Sequence, residues 1–397
     1  MLVKRLAVEV DESTWGRNPI PSWLLGASGI HRLDMKMALL MLGSLTLPSL
    51  ISPASPARTW AWLRYFLAIT NDDDFRITRD FSDLDPHLKT ILSDDLGVAL
   101  STQWLFDRLG GFQDIVDGRS FMLQFPHRLK KRVSAPTAKV GPSKAPDYVV
   151  LDKTNKWHVL ECKGTQSGAG ARDGYLTDAL SQKQVILLND DIRGERLAAG
   201  LSISHEDRRR NSSLRVIDPE VDPILTLESS DVREIKSKVR RLSVARALGM
   251  IGLNESSMEL SLPPDVLEAR DYLKYVERHR VREATQARSE RASGELRSRD
   301  LEHFTFGSKD FEGRTITINL PGLVRGESFD TLVVRQGVDS DLLQELASVS
   351  SLFGDDIDTR IDTRLSDAVV EMVSDGTRVI LKQGELLFAE LILKRRT

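Results

Sequence analysis

The chain has 397 residues, of which 41% are hydrophobic and 28% are charged, and its formal net charge is −3. This composition is that of an ordinary globular protein, and the length favours two or three domains over a single core. The single cysteine excludes an intrachain disulfide framework and a zinc site built from several cysteines, so we expect a cytoplasmic protein. Since the net charge gives no global basic signal, any nucleic-acid binding must come from local patches.

Common functional signatures are absent from the sequence. It contains no Gly-x-x-x-x-Gly-Lys-Ser/Thr loop, no His-Glu-x-x-His and no Gly-x-Ser-x-Gly, which argues against the usual NTPases, metalloproteases and esterases. The most apolar run, residues 37–50, is too short to span a bilayer. The N-terminus turns acidic at once, so we expect neither a signal peptide nor a membrane partner.

The first 87 residues are predicted to form a mostly helical N-terminal region. Residues 33–47 are dense in Leu and Met, which favours a buried helix. Three prolines then interrupt the pattern, and residues 59–69 supply a second apolar helix. The aromatic side chains of this second helix could stack on nucleic-acid bases, but such a stripe more often belongs to the core.

A helix followed by two strands is predicted after residue 87. The amphipathic stretch 88–109 favours a helix, and the glycine pair at 110 and 111 ends it. The two strands are 112–116 and 119–125, and Asp117-Gly118 forms a hairpin turn between them.

A basic loop follows these strands and ends just before Asp147. Its central cations are Lys130, Lys131 and Arg132. A basic segment beside a phosphodiester site could contact the phosphate backbone. A plain solvated loop is the alternative, and the sequence does not choose between the two.

The stretch 146–165, PDYVVLDKTNKWHVLECKGT, is predicted to form a β-hairpin that carries three charged groups. Its two arms are rich in strand-forming residues and enclose a polar turn. Side chains alternate along a strand, so Glu161 and Lys163 point to one face and Cys162 to the other. Asp147 begins the first arm, close to where the second arm ends. Two carboxylates and one ammonium group are therefore expected to converge at one end of a sheet.

These charges suit metal-assisted hydrolysis of a phosphodiester bond. Mg²⁺ binds through carboxylate oxygens and waters, usually beside a substrate phosphate. It can polarise a phosphoryl oxygen and lower the pKa of an attacking water. A neighbouring lysine can orient that water or neutralise the developing charge. The alternative is an edge hairpin whose charges are only solvated.

Pro146-Asp147, followed by Glu161-Cys162-Lys163, resembles the PD-(D/E)xK nuclease superfamily, which includes many restriction endonucleases and repair nucleases. The resemblance implies that Asp147 and Glu161 bind Mg²⁺ or Mn²⁺. It also implies that the backbone carbonyl of Cys162 is a further metal ligand and that Lys163 assists the attacking water.

The resemblance implies two further positions in the site. The superfamily often carries an additional metal-associated acid near the start of its first helix, where this chain offers Asp94 and Asp95 rather than the more usual Glu. These two acids could equally be carboxylates favoured by the helix macrodipole. A helix after the hairpin often presents a polar residue, and the candidates here are Gln182 and Gln184.

The fold class implied is α/β, with a restriction-endonuclease-like core of a mixed sheet flanked by helices over residues 88–225. Within this core, periodicity predicts a helix at 174–188 and strands at 198–204 and 213–217. A helical connector is predicted for residues 226–299, with a basic helix at 233–248 and a charge-dense helix at 265–299.

The last part of the chain, residues 300–397, is predicted to be a small α+β domain without a catalytic constellation. Its predicted strands are 314–320, 331–334, 378–381 and 385–393, and its predicted helices are 342–352 and 365–372.

The residues and the resemblance together predict a metal-dependent nuclease, for which DNA is favoured over RNA as the substrate. Many members of this superfamily act in restriction or phage defence, so the resemblance suggests such a role here. It is also compatible with a homo-oligomer or a partner subunit. The alternative is a catalytically inactive nuclease-fold protein that binds nucleic acid or serves in assembly.

Overall fold

The computed structural model describes residues 3–16, 19–46, 65–125, 145–183, 186–188, 192–218, 225–227, 231–262, 275–319, 329–349, 351–352, 355–365 and 368–395. Its main feature is a mixed sheet of thirteen strands flanked by helices. The predicted class, α/β with a large mixed sheet, is thus confirmed, while a restriction-endonuclease-like core stays a prediction.

Strands and helices alternate along much of the chain. The strands are β1 (Val3–Val10), β2 (Gly29–Asp34), β3 (Phe112–Asp117), β4 (Tyr148–Asp152), β5 (Trp157–Thr165), β6 (Ile186–Leu188), β7 (Arg193–Ser202), β8 (Ser213–Ile217), β9 (Leu225–Leu227), β10 (Glu302–Phe306), β11 (Lys309–Asn319), β12 (Phe329–Asp339), β13 (Val370–Asp375), β14 (Arg378–Gln383) and β15 (Leu387–Arg395). The helices are α1 (Met35–Leu45), α2 (Arg79–Ser82), α3 (Pro86–Leu109), α4 (Gly118–Leu123), α5 (Ala169–Lys183), α6 (Val232–Met250), α7 (Asn254–Ser261), α8 (Tyr275–Arg297), α9 (Ser340–Ser348) and α10 (Asp355–Arg364).

The order of the main sheet is β10-β11-β12-β15-β14-β13-β3-β4-β5-β7-β8-β1-β2. Strands β3, β4 and β5 are antiparallel neighbours, whereas β7 runs parallel to β5 and β1 runs parallel to β8. The C-terminal strands join the sheet through one pair, Val370 with Phe112. Both ends of the chain therefore contribute strands to the sheet that holds the hairpin, and the predicted boundaries at 88, 226 and 300 stay predictions.

The centre of the sheet is covered on both faces. Side chains of β4 and β5 that point to one face, including Tyr148 and Leu160, pack in a core shared with α1 and α3. Their neighbours on the opposite face, including Val149 and Val159, pack in a second core shared with α4 and α6. The strict alternation follows from the two-residue period of a strand.

Helix α3 confirms the predicted amphipathic helix and its end. Asp85 caps the N-terminus, where its side chain accepts hydrogen bonds from the backbone N–H groups of His87 and Leu88. Gly110 follows the last turn in the left-handed conformation, with φ of 66°. The helix buries Leu96, Leu100 and Trp104, among others, against the sheet.

The hairpin is also confirmed: β4 and β5 pair antiparallel, with Tyr148 opposite Leu160. The predicted strands at 112–116 and 213–217 correspond to β3 and β8, and the predicted strand at 198–204 overlaps β7, which begins at 193 and ends at 202. Other predicted elements are found with shifted ends. They are the strands at 314–320, 331–334, 378–381 and 385–393 and the helices at 342–352, 233–248 and 265–299. Residues 265–274 of the last helix lie outside the described part.

Two local predictions are wrong, and a third is wrong at one end. Residues 119–125 do not form a strand: Asp117 caps helix α4 by accepting a hydrogen bond from the Ser120 N–H, so it starts a helix instead of a hairpin turn. The predicted helix at 174–188 is α5, which begins at 169 and ends at 183, and Ile186–Leu188 pairs with β9 as strand β6. The predicted helix at 365–372 is replaced by the end of α10 and by β13, which pairs with β14.

The prediction of a mostly helical N-terminal region is wrong in one respect, because the region also contains two strands, β1 and β2. The segment VKRLAVEV has alternating buried and more exposed side chains, as a half-buried strand requires, and it forms β1. Strand β2 pairs with it, and α1 then matches the apolar stretch predicted to be a buried helix. Most of the second predicted helix lies outside the described residues, and its end, residues 65–68, is helical.

None of the helices in the described ranges has the length and apolar character needed to cross a membrane.

Candidate active site

Asp147 and Glu161 meet at one end of the β4–β5 hairpin. The backbone N–H of Asp147 donates to Glu161 Oε2 at 3.2 Å. In return, the backbone N–H of Cys162 donates to Asp147 Oδ2 at 2.7 Å. This reciprocal pairing fixes both carboxylates to the hairpin backbone, so their approach depends on strand register rather than on side-chain rotamers alone.

Lys163 completes the cluster. Its Nζ donates to Glu161 Oε1 at 2.5 Å, with the Lys163 side chain 26% exposed and that of Glu161 fully buried. Cys162 points to the opposite face, where it joins the core that packs against α3. The structure thus brings together the three charged groups that the sequence predicted to converge, and it places Cys162 on the other face, as alternation requires.

Burial and mutual repulsion shift the pKa values of the acids in this cluster. Burial and then the charge of Asp147 raise the pKa of Glu161 to about 8, against the opposing effect of Lys163. Burial also raises the pKa of Asp147, which Lys163 and the Cys162 N–H counteract. Burial alone would lower the pKa of Lys163, but the charge of Glu161 raises it, so this lysine stays protonated.

Two glycines bring helix α3 close to the end of β5. A Cβ on Gly164 would lie 1.7 Å from the backbone oxygen of Ser93, and a Cβ on Gly97 would lie 2.8 Å from the backbone of Lys163. Only glycine permits this approach, because any larger side chain would have to push the helix away. The contact places the first half of α3, including Asp94, beside the Asp147–Glu161–Lys163 cluster.

The structure separates the two acids proposed for this helix. Asp94 is exposed and faces the cleft, where partial burial raises its pKa while Lys163 and the Gly164 N–H lower it in part. Asp95 instead accepts a hydrogen bond from the Tyr65 hydroxyl. Of the two candidates, Asp94 is therefore the one directed at the cluster.

A cleft of about 610 Å³ opens beside this cluster, and Asp94, Asp147 and Lys163 line it. It is bounded by the start of α3, the end of β5 and helix α5. Its lining includes polar residues that the sequence analysis did not single out, because only the fold brings them together: Lys89, Thr90, Ser93, Gln166, Ser167 and Tyr175. We call this space the active-site cleft.

Asp117 is a further acid that the sequence analysis missed. It ends β3 opposite Tyr148, and its negative charge raises the pKa of the neighbouring Asp147. A Cβ on the next residue, Gly118, would lie 2.1 Å from the backbone oxygen of Pro146, so glycine is required where β3 approaches the start of β4. The Asp-Gly pair, which suggested a hairpin turn, was the signal available in the sequence.

The side chains of the remaining predicted site residues belong to the part of the chain that the structure does not describe. Gln182 lies in the last turn of α5, but its side chain is outside the described part, as is all of Gln184. The basic loop, with Lys130, Lys131 and Arg132, also lies outside the described residues. Tyr175 is the residue of α5 that lines the cleft.

The basic helix α6 uses its cations inside the fold. Arg241 is buried and pairs with Asp358 at 3.0 Å, and Arg240 pairs with Asp362 at 3.3 Å. Arg246 donates to the backbone oxygen of Ile115. Such a helix cannot present these guanidinium groups to a phosphate backbone without breaking internal contacts.

The carboxylate oxygens of Asp147 and Glu161 are the kind of ligand that a hard divalent cation prefers. Two backbone hydrogen bonds hold the carboxylates of Asp147 and Glu161 at the same end of the hairpin, and burial raises the pKa of both, so a bound cation would stabilise their ionised forms. However, the described residues contain no group of three or more His, Cys, Asp or Glu side chains placed to hold a metal ion. A metal would therefore rest on two acids together with backbone, water or substrate oxygens.

Comparisons with known proteins give no match to this chain: none was found among protein-family profiles, among characterised proteins or among solved structures.

Proposed function

We propose that this chain is a metal-dependent nuclease that hydrolyses phosphodiester bonds, with DNA as its substrate. The observation that supports this proposal is the convergence of Asp147, Glu161 and Lys163 beside an open cleft that Asp147 and Lys163 line. The resemblance to the PD-(D/E)xK superfamily rests on the same residues. A role in restriction or phage defence, and assembly with itself or a partner subunit, are extensions of the proposal from the same resemblance.

The chemistry follows from the positions of the groups. Asp147 and Glu161, with the Cys162 carbonyl, would hold Mg²⁺ or Mn²⁺, and such an ion polarises the phosphate and activates water when bound. Lys163 stays protonated and partly exposed, so it can hydrogen-bond an attacking water or neutralise charge on the phosphate. Loss of the Glu161 proton is required before its carboxylate can bind a cation.

A cleavage assay on plasmid and single-stranded DNA tests this function. We expect cleavage that requires Mg²⁺ or Mn²⁺, and loss of orders of magnitude in rate for Glu161→Ala and for Lys163→Ala. The matched control is Lys153→Ala, which removes an exposed lysine at the opposite end of the same hairpin. Full activity of either site variant, with the wild-type fold shown by circular dichroism, would contradict the assignment.

A second candidate is a nuclease-fold protein that binds nucleic acid without cleaving it. One observation favours it: within the described ranges the acids do not form a cluster of three or more groups that could hold a metal. This protein would bind DNA yet show no cleavage at any metal concentration, so the same assay, run with a binding measurement, separates the two candidates.

A further inference from the structure

A second cleft, of about 560 Å³, lies beside the active-site cleft. Lys89 and Gln166 line both, so the two clefts adjoin. The second cleft is also lined by Arg79, His205 and Arg208, and we call it the arginine cleft. Among its lining residues, three cations, Arg79, Lys89 and Arg208, stand against two acids, Asp83 and Asp207.

The topology explains why the clefts meet. Strands β5 and β7 are parallel and in register up to Thr165 and Ser202, so their carboxyl ends share one edge of the sheet. Lys163 lies near this edge on β5. The loop after β7, residues 203–212, leaves the sheet at the same edge and carries three consecutive arginines, Arg208 to Arg210.

Backbone hydrogen bonds anchor this loop at its base. The Ile203 N–H donates to the Thr165 carbonyl at 2.8 Å, which ties the loop to the end of β5. Ile77 donates to the Ser204 carbonyl and accepts from the Glu206 N–H, each at 3.0 Å. Arg208 lines the arginine cleft, and Arg209 and Arg210 follow it on a loop whose base is tied to the end of β5.

The charged residues near the 203–212 loop form ion pairs and hydrogen bonds that do not include Arg209 or Arg210. Arg79 is balanced by Asp83 and Asp207, at 3.7 and 3.9 Å, and Arg208 donates to a ring nitrogen of His205 at 2.9 Å. Arg209 and Arg210 are exposed, and within the described part of the chain neither makes a hydrogen bond or an ion pair. Exposed guanidinium groups without a protein partner are suited to bidentate contacts with phosphate oxygens.

We propose that Arg209 and Arg210, with Lys89 between the clefts, bind the phosphodiester backbone of the nucleic acid on one side of the scissile bond. This inference rests on the proposed function, which places the scissile bond next to Lys163. Such contacts position the substrate and do not read its sequence, so they add affinity to every substrate alike. DNA and RNA share this backbone chemistry, and the experiment distinguishes them.

The test compares Arg209→Ala/Arg210→Ala with Arg233→Ala/Arg360→Ala in the full chain. Both double variants remove two exposed arginines, but Arg233 and Arg360 lie on α6 and α10, whereas Arg209 and Arg210 directly follow Arg208 of the arginine cleft. Binding of fluorescein-labelled duplexes of about 30 base pairs, DNA and RNA in separate arms, is measured in EDTA between about 50 and 200 mM KCl. Thermal unfolding of each variant checks that the fold is unchanged.

We expect the Arg209/Arg210 variant to bind about tenfold or more weakly at low salt. The slope of log affinity against log salt should flatten by about two units, one for each lost phosphate contact. The control variant should keep the wild-type slope, and Arg209→Lys/Arg210→Lys should keep most of it, since lysine retains the charge. Flattening in the DNA arm or the RNA arm alone identifies which backbone the surface accepts.

An unchanged slope in both arms, or no binding of either duplex by the wild-type chain, would overturn the inference. Cleavage by the wild-type chain is measured in parallel with Mg²⁺ and Mn²⁺. Flattened binding without any cleavage would retain the arginine surface and reject the nuclease, whereas cleavage with an unchanged slope would reject the surface and retain the nuclease.

Discussion

Both carboxyl oxygens of Glu161 are committed inside the fold, one to Lys163 and the other to the Asp147 N–H. Its pKa, raised to about 8, means that burial makes this carboxyl hold its proton to a higher pH than an ordinary glutamate does. A divalent ion and a proton therefore compete for the same oxygens. This competition links metal affinity, pH and stability at one residue.

The first prediction concerns stability against pH in EDTA. The ordinary pKa of 4.5 applies to the unfolded chain and about 8 to the folded one, so the folded protein keeps a proton that the unfolded chain releases. The resulting stabilisation is complete below about pH 4.5 and is lost as pH rises through 8. The unfolding temperature of the wild type should therefore fall between these pH values, and Glu161→Gln, which cannot ionise, should fall less.

The control for this experiment is Glu371→Gln, which changes an exposed carboxylate in β13. Differential scanning calorimetry at several pH values gives the comparison. The same pH profile for wild type and Glu161→Gln would show that Glu161 is not the buried acid described here.

The second prediction separates the neighbouring acids of α3. Asp94→Asn should slow cleavage, because Asp94 lines the cleft and interacts with the charge of Lys163. Asp95→Asn should leave the rate unchanged and lower stability by about 1 kcal/mol, because it weakens the hydrogen bond from Tyr65. Cleavage rates and urea unfolding are measured for both variants, and a slow Asp95→Asn beside a fully active Asp94→Asn would reverse the assignment.

At the scale of elements, the contact between α3 and β5 builds the site. Strand β5 supplies Glu161 and Lys163, and the helix can reach them only because Gly97 and Gly164 remove the side chains that would separate the two elements. Packing of this kind transmits any displacement of the helix to the cleft, since protein interiors are close-packed.

The third prediction follows from this contact. Gly164→Ala would place a Cβ 1.7 Å from the Ser93 oxygen, so the helix must shift, at a cost of about 1–3 kcal/mol. The cleavage rate should also fall, because the shift of the helix displaces Asp94 and the cleft. Gly170→Ala is the matched control, because a Cβ there meets nothing within 4 Å and helix α5 should tolerate or favour alanine. Equal stability of the two variants in urea would mean that the close approach is not required.

Secondary structure was predictable where one pattern dominated. The hairpin arms have uninterrupted strand-forming residues, and α3 has a long amphipathic pattern with a glycine end, so both were recognised. Helix α4 was missed because Phe121 and its neighbours favour strands as readily as a short buried helix. The capping bond from Ser120 to Asp117, which decides the matter, leaves little trace in the sequence.

For the whole molecule, the sequence could not reveal how distant segments join. Strand β1 pairs with β8, and β13 meets β3 through the single pair of Val370 with Phe112. Such long-range pairings depend on the complete fold and not on local periodicity. The same limit explains the site: spacing brought Asp147, Glu161 and Lys163 together, but the choice of Asp94 over Asp95 required the position of Tyr65.

The measurement that tests the metal centre most directly is Mn²⁺ binding to the full chain, followed by electron paramagnetic resonance of the free ion. The wild type should bind Mn²⁺ more tightly as pH rises from about 6 to 8, because Glu161 must lose its proton, and bound metal should raise the unfolding temperature by mass action. Asp147→Asn and Glu161→Gln should abolish this binding, while Asp375→Asn, a change at an exposed acid, should not. Equal Mn²⁺ binding by the wild type and Glu161→Gln, or none by the wild type at any pH, would contradict a metal centre at these two carboxylates.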